Sequence, residues 1–203
     1  MSQLKLTADS GGGTVAIKAP ASTTGNAALE MTVPSTASST LDSLNRAGNI
    51  LQVVSATKTD TSSTASATYA DISGLSVAVT PASTSNKILV TCVVQHGGAE
   101  NSFIPFKVFR GSTLLAPGTE GTGNMSNVSF GGFQNLDSAE FGTGSAVWQY
   151  LDSPSSTSAL TYKIQYASIY NGYTVYINRP GATNNNGFNI FGSSTITVQE
   201  VAA

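Results

Sequence analysis

Side chains able to do acid–base or nucleophilic chemistry are scarce in this sequence. There is one histidine, His96, and one cysteine, Cys92. A Ser-His-Asp arrangement would have to use His96, and no G-x-S-x-G elbow accompanies it. A histidine closing a strand beside Gly97-Gly98 reads as a structural or solvated residue, because a general base needs a partner within reach. Cys92 lies inside an apolar run and reads as a small buried hydrophobe with an inert thiol. A lone cysteine allows no internal disulfide. One His and one Cys, with no D-x-D-x-D-G loop, predict no metal site. Gly11-Gly12-Gly13 precedes a strand-like run rather than a helix, so it does not read as a phosphate cradle. No cofactor is expected.

Glycoside cleavage needs two carboxyl groups flanking one sugar bond. The available acids are Glu100, Glu120, Asp137, Glu140 and Asp152. All but Asp152 lie in loop-like sequence, and no spacing pairs them. They read as solvated surface acids, and no enzymatic activity is expected.

A binding role has better material. Tyr170-Asn171-Gly172-Tyr173 joins two strand-like runs, with Tyr176 beyond it, and Gly181-Ala182-Thr183-Asn184-Asn185-Asn186-Gly187-Phe188 follows. Tyrosine rings stack on apolar sugar faces and amides bond hydroxyls. Tyr170, Asn171, Tyr173, Asn184, Asn185 and Asn186 are therefore candidates for binding a receptor or host-surface glycan. The alternative is that the tyrosines pack on neighbouring strands and the asparagines are turn chemistry.

The elements that would carry these loops read as β throughout. Residues 86–95, N-K-I-L-V-T-C-V-V-Q, are an apolar run with Thr80-Pro81-Ala82-Ser83 before it and His96-Gly97-Gly98 after it. Such a run predicts a central strand buried on both faces. Around it, strands are expected at 49–56, 68–73, 75–80, 103–110, 113–115, 125–133, 144–152, 160–170, 172–178 and 193–201. Tyr69, Ile72, Leu75, Val77 and Val79 form the expected inward set of one region, and Tyr162, Ile164 and Tyr166 share a face in another. Residues 57–67 are polar and read as a loop. Many short strands with regularly spaced turn signals imply a sandwich or jelly roll.

Residues 1–40 differ. Alternating runs at 4–7, 14–19 and 28–33 predict three short strands, too little to stand alone. Residues 40–48 hold a candidate short helix, with Thr40 at its start, Gly48 at its end and Leu41 and Leu44 on one face. A helix this short needs docking. The expected architecture is all-β: an N-terminal β attachment module at 1–40, a short helix or connector at 41–48, and a jelly-roll-like β-sandwich at 49–203.

Only 10% of residues are charged, the net charge is −2, and 9 Lys and Arg are spread along the chain. These cannot form the basic footprint of a nucleic-acid binder. No run of eighteen apolar residues suggests membrane insertion by a helix. Met1-Ser2-Gln3-Leu4-Lys5 lacks a signal-peptide pattern. A chain whose surface is Ser, Thr, Asn, Gln and Gly, and thus suited to an outside surface, is then expected to leave the cell by another route, such as assembly into a virion released by lysis.

Three stretches carry a resemblance. Gly13-Thr14-Val15-Ala16-Ile17-Lys18-Ala19-Pro20 with Leu29-Glu30-Met31-Thr32-Val33-Pro34 resembles the strand-loop-strand module near the virion-attached end of tailed-bacteriophage fibres, especially marine ones. Tyr69-Ala70-Asp71-Ile72-Ser73-Gly74-Leu75 with Thr80-Pro81-Ala82-Ser83-Thr84-Ser85-Asn86-Lys87-Ile88-Leu89-Val90 is similar to the opening of their distal β domain. Ser194-Thr195-Ile196-Thr197-Val198-Gln199-Glu200-Val201 resembles their final strand. The resemblance implies a non-enzymatic virion protein, a short tail fibre or surface appendage. It implies a homotrimer, contact with other virion proteins through residues 1–40, and a distal domain for host attachment. It transfers no binding residues. Two rival readings are a carbohydrate-binding module of a secreted protein, which predicts an export signal or a fused enzyme, and a polysaccharide-degrading tailspike, which predicts a long repetitive β-helix and paired carboxylates.

Overall fold

The computed structural model describes residues 3–7, 14–18, 46–98, 102–122, 126–134, 142–169, 173–184, 187 and 189–203, with the backbone alone at 3–7, 14–18 and 134. The chain forms two compact units, Met1–Leu41 and Asp42–Ala203. In the first, β1 (Gln3–Thr7) and β2 (Thr14–Lys18) pair antiparallel, from Gln3 opposite Lys18 to Thr7 opposite Thr14. The expected strand at 28–33 lies outside the described residues. So does most of the expected helix; its last residues, Arg46 to Gly48, form a turn in which Asn49 N–H donates to Arg46 O at 3.0 Å.

The second unit is a β-sandwich. Its strands are β3 (Ile50–Lys58), β4 (Ser62–Thr64), β5 (Ala70–Val79), β6 (Lys87–Gly98), β7 (Ser102–Arg110), β8 (Thr113–Leu114), β9 (Phe130–Gln134), β10 (Gly144–Asp152), β11 (Leu160–Tyr166), β12 (Val175–Ile177) and β13 (Ser194–Val201). The first sheet has six strands in the order β3-β13-β6-β12-β4, with β10 on the other edge of β6. The second has five in the order β5-β11-β7-β8, with β9 also paired to β7. All pairings are antiparallel. Among the described residues there is no helix.

Alternation builds the core, because successive strand side chains point to opposite sheet faces. Ile88, Val90, Cys92 and Val94 of β6 and Ile196 and Val198 of β13 face inward from the first sheet. Ile72, Leu75, Val77, Val79, Ile104, Phe106, Val108, Tyr162, Ile164 and Tyr166 meet them from the second. Each such fully buried aliphatic chain contributes about 1.5–3 kcal/mol. Ile72 and Leu75 are three apart yet both buried, because β5 bulges at Gly74, whose φ of 89° suits glycine. Gly111, at φ 57°, turns β7 into β8 as the expected hairpin.

Several expectations are corrected. β6 is central, but the sandwich covers only one of its faces: Leu89, Thr91, Val93 and Gln95 point away from the core and are half-buried. Tyr69 is half-buried beside the core rather than in it, with Lys107 Nζ 3.9 Å over its ring. Residues 57–67 are not all loop: β3 runs through Thr57 and Lys58, and Ser62–Thr64 pairs with β12, which would otherwise be an open edge there. β9 starts only at Phe130, because Asn127 closes a local loop by accepting from Gly121 N–H at 2.9 Å. β11 ends at Tyr166, where Ser168 N–H leaves the sheet for Ser66 O. β12 is confined to three residues, because Asn178 after it has a φ of 64°.

Candidate functional site

The sandwich has two ends of different character. At one, the chain enters and leaves side by side: Gly48 N–H donates to Ala202 O, and Ala202 N–H to Asn49 O, both at 2.8 Å. Glu200 is buried there and accepts from Asn86 Nδ2 at 2.6 Å, Ala82 N–H at 2.7 Å and Gln52 Nε2 at 2.5 Å. Burial alone would raise its pKa, but these three donors hold it below the ordinary glutamate value.

β6 runs from this end to the other, twelve residues or about 40 Å at 3.3 Å per residue. At the far end Asn178 fixes the loops. It is fully buried, donates from Nδ2 to Lys58 O and Asp60 O at 2.8 Å each, and accepts from Ser194 Oγ at 2.6 Å. Its own N–H donates to Gln95 O, and Gly192 N–H donates to Asn178 O. Asparagine tolerates this left-handed backbone better than most residues. One side chain thus ties the ends of β3 and β12 to the start of β13.

Of the sequence candidates, Tyr173 and Asn184 lie at this far end. Tyr173 is exposed and its carbonyl accepts from Ser168 Oγ. Asn184 is exposed and its carbonyl accepts from Asn189 Nδ2. Tyr170, Asn171, Asn185 and Asn186 lie outside the described residues. Tyr176 is half-buried with Arg179 4.3 Å over its ring.

A feature missed in the sequence lies at the same end. Phe103 and Phe133 face each other across β7 and β9, with ring centroids 4.7 Å apart and exposures of 45% and 48%. Beside them is an apolar groove of about 200 Å³ lined by Phe103, Ile104, Pro105, Val128, Gly131 and Ile169, among others. Ile169 directly precedes Tyr170 in the sequence. Two phenylalanines thirty residues apart give no local signal of sharing one surface; only the register joins them.

His96 lies beneath this region, 2% exposed. Its ring packs on Gly132 and Gly144, and a Cβ at Gly144 would come within 2.8 Å of it. Phe106 is 6.1 Å away, centroid to centroid, and Nδ1 has no hydrogen-bond partner among the described residues. Burial pushes its pKa down to about 4, so it is neutral at pH 7. Cys92 is buried, and burial pushes its thiol up to about 12.

Asp152 is not a solvated acid. It is buried and joins the sheets: Arg110 Nη1 of β7 donates to Oδ1 and Oδ2 at 2.7 and 2.6 Å, and Tyr162 Oη of β11 donates at 2.7 Å. Burial, then the bond to Asp152, raises the Tyr162 pKa. Glu120 is exposed, and Glu100, Asp137 and Glu140 lie outside the described residues. Among the described residues no three His, Cys, Asp or Glu side chains are grouped so as to hold a metal ion, and no helix is long and apolar enough to cross a membrane. The chain matches no protein-family model and no curated protein sequence.

Proposed function

We propose that this chain is a non-enzymatic structural protein of a phage particle, a short tail fibre or surface appendage. In this reading residues 1–40 attach to other virion proteins, the chain assembles as a homotrimer, and the sandwich carries host-surface recognition at its far end. The observation that carries the reading is the opposition of the two ends. The polypeptide from residues 1–48 joins the sandwich where the C-terminus also lies, while Tyr173, Asn184 and the Phe103–Phe133 pair stand at the other end of β6. A rigid scaffold that holds aromatic and amide groups away from its point of attachment suits surface recognition. The resemblance to fibre sequences supports the same reading. The state of the titratable groups accords with it: His96 is buried and neutral, and Asp152 is consumed in an ion pair.

The test is retention of the full chain on an array of purified lipopolysaccharides and capsular polysaccharides, with release of reducing ends assayed in parallel. The reading expects retention on at least one glycan, at least tenfold weaker for Tyr173→Ala or Phe103→Ala, and no reducing ends. Retention unchanged in both variants would remove the far end from recognition. Release of reducing sugar would favour a degrading enzyme.

A further inference from the structure

The outward face of the first sheet is built unlike a solvent face. Its side chains fall into cross-strand rows over β10, β6, β13 and β3. One row is Val147, Val93, Thr195 and Thr57. The next is Gln149, Thr91, Thr197 and Ser55, and the third is Leu151, Leu89, Gln199 and Val53. No Asp, Glu, Lys or Arg occurs in the three rows. Val147, Val53 and Leu151 are 64%, 56% and 44% exposed, and beyond the third row Val201 stands between Ile50, 47% exposed, and the exposed Lys87. The polar row is satisfied within itself: Gln149 Nε2 donates to Thr91 Oγ1 at 3.1 Å, and the Ser55 and Thr197 hydroxyls bond at 2.8 Å.

We infer that this face is covered by a second copy of the same chain. The inference rests on the reading of the chain as self-assembling and names the surface that does it. Three observations select the occupant. First, the apolar pattern of β6 on both faces is that of a strand covered on both sides, and its own sandwich covers one. Second, the three rows carry no charge and offer nothing to a charged partner, whereas a second copy presents the same neutral, ridged rows, with the exposed Lys87 only at their margin. Such faces can pack as the sheets of a sandwich do, about 10 Å apart, in the trimer as three faces turned toward a common axis. The polar groups of the middle row already bond in pairs, so drying that row leaves few donors or acceptors unpaired. Third, four strands about 4.8 Å apart and roughly 25 Å long present about 500 Å², so two faces together hide about 1,000 Å², the lower bound for specific association.

The experiment is light scattering on the full chain and on three variants. Val147→Lys and Val53→Lys place a charge on exposed positions of this face, and Thr161→Lys places one on the exposed outward face of the second sheet. Circular dichroism checks that each variant folds. The expected result is a mass that is a multiple of 20.7 kDa for the parent and Thr161→Lys, and 20.7 kDa for Val147→Lys and Val53→Lys. A parent multimer whose mass survives both face variants would overturn the inference and leave self-assembly standing, through some other surface. A parent that stays at 20.7 kDa up to about 100 μM would overturn both the inference and the trimer; glycan retention would then decide the rest of the functional reading.

Discussion

On the outward face of the second sheet, Lys163 Nζ of β11 donates to Asp71 of β5 at 2.9 Å, Gln165 Nε2 donates to the same carboxylate at 2.7 Å, and Lys107 of β7 lies over Tyr69. On the outward face of the first sheet, the comparable central positions are Val93, Thr91 and Leu89 of β6, flanked by valine, leucine, threonine and glutamine. The inward faces of both sheets follow one rule, alternating apolar residues meeting in a single core. The outward faces follow two. One uses charge to stay wet, as a solvent face does. The other has none in its three central rows, with Lys87 at one margin and Arg179 at the other, in a chain that had nine Lys and Arg and eleven Asp and Glu to distribute. The comparison teaches that inward alternation fixes the sandwich, while outward chemistry tells which side meets water.

Changes to what the two sheets share should break both faces at once and have the largest effect. Asp152→Ala strands Arg110 and Tyr162 between the sheets, and removing one partner of a buried pair costs about 3–5 kcal/mol. Urea denaturation would read this as a lower midpoint at unchanged slope, and any assembly should fail with it. A cost below about 1 kcal/mol would show that the sheets are held by apolar contact alone.

The next effect comes from His96. In the unfolded chain it titrates near its ordinary 6.5, and in the sandwich burial holds it at about 4. Between these values the unfolded chain takes up a proton and the folded chain does not. Stability is therefore full above about pH 6.5 and declines as pH falls to about 4, by about 3 kcal/mol in all. Denaturation midpoints measured between pH 7 and 4 would show the decline, and His96→Gln should flatten it. A parent profile already flat in this window would mean that the ring is solvated.

The two faces should also answer differently to salt. Association through the neutral rows should change less than about twofold between roughly 0.05 and 0.5 M salt, because the rows carry no charge and Lys87 stands only at their margin. The Asp71–Lys163 pair sits on the wet face, with Asp71 half-exposed. The bond to Lys163 holds the Asp71 carboxyl below its ordinary value. Exposed pairs of this kind contribute under about 1 kcal/mol. Asp71→Asn should therefore shift the urea midpoint least of all these variants and leave the association mass unchanged. A loss of mass in Asp71→Asn would move the interface to the charged face.

Much of the sandwich is legible in the sequence, because period-2 alternation reports burial directly: Val77, Val79, Tyr162, Ile164, Ile196 and Val198 are core residues as their spacing predicts. The run of β6 is read correctly as central, yet a sequence cannot say whether a second covering layer comes from the same molecule. β4 is not legible, because Ser62-Ser63-Thr64 has no apolar face and becomes a strand only through Val175, Tyr176 and Ile177 opposite it. The Phe103–Phe133 pair and the Asp152–Arg110–Tyr162 staple depend on register between strands far apart in sequence, which no local pattern encodes.

The most direct test of the neutral face is thiol labelling of Val147→Cys and Thr161→Cys across a range of protein concentrations. Cys92 is buried with its thiol pushed up to about 12, so the introduced cysteine is the reactive one. The account predicts that Val147→Cys is labelled at least tenfold more slowly than Thr161→Cys once the chain associates, while Thr161→Cys keeps one rate throughout. Equal rates at every concentration would contradict it.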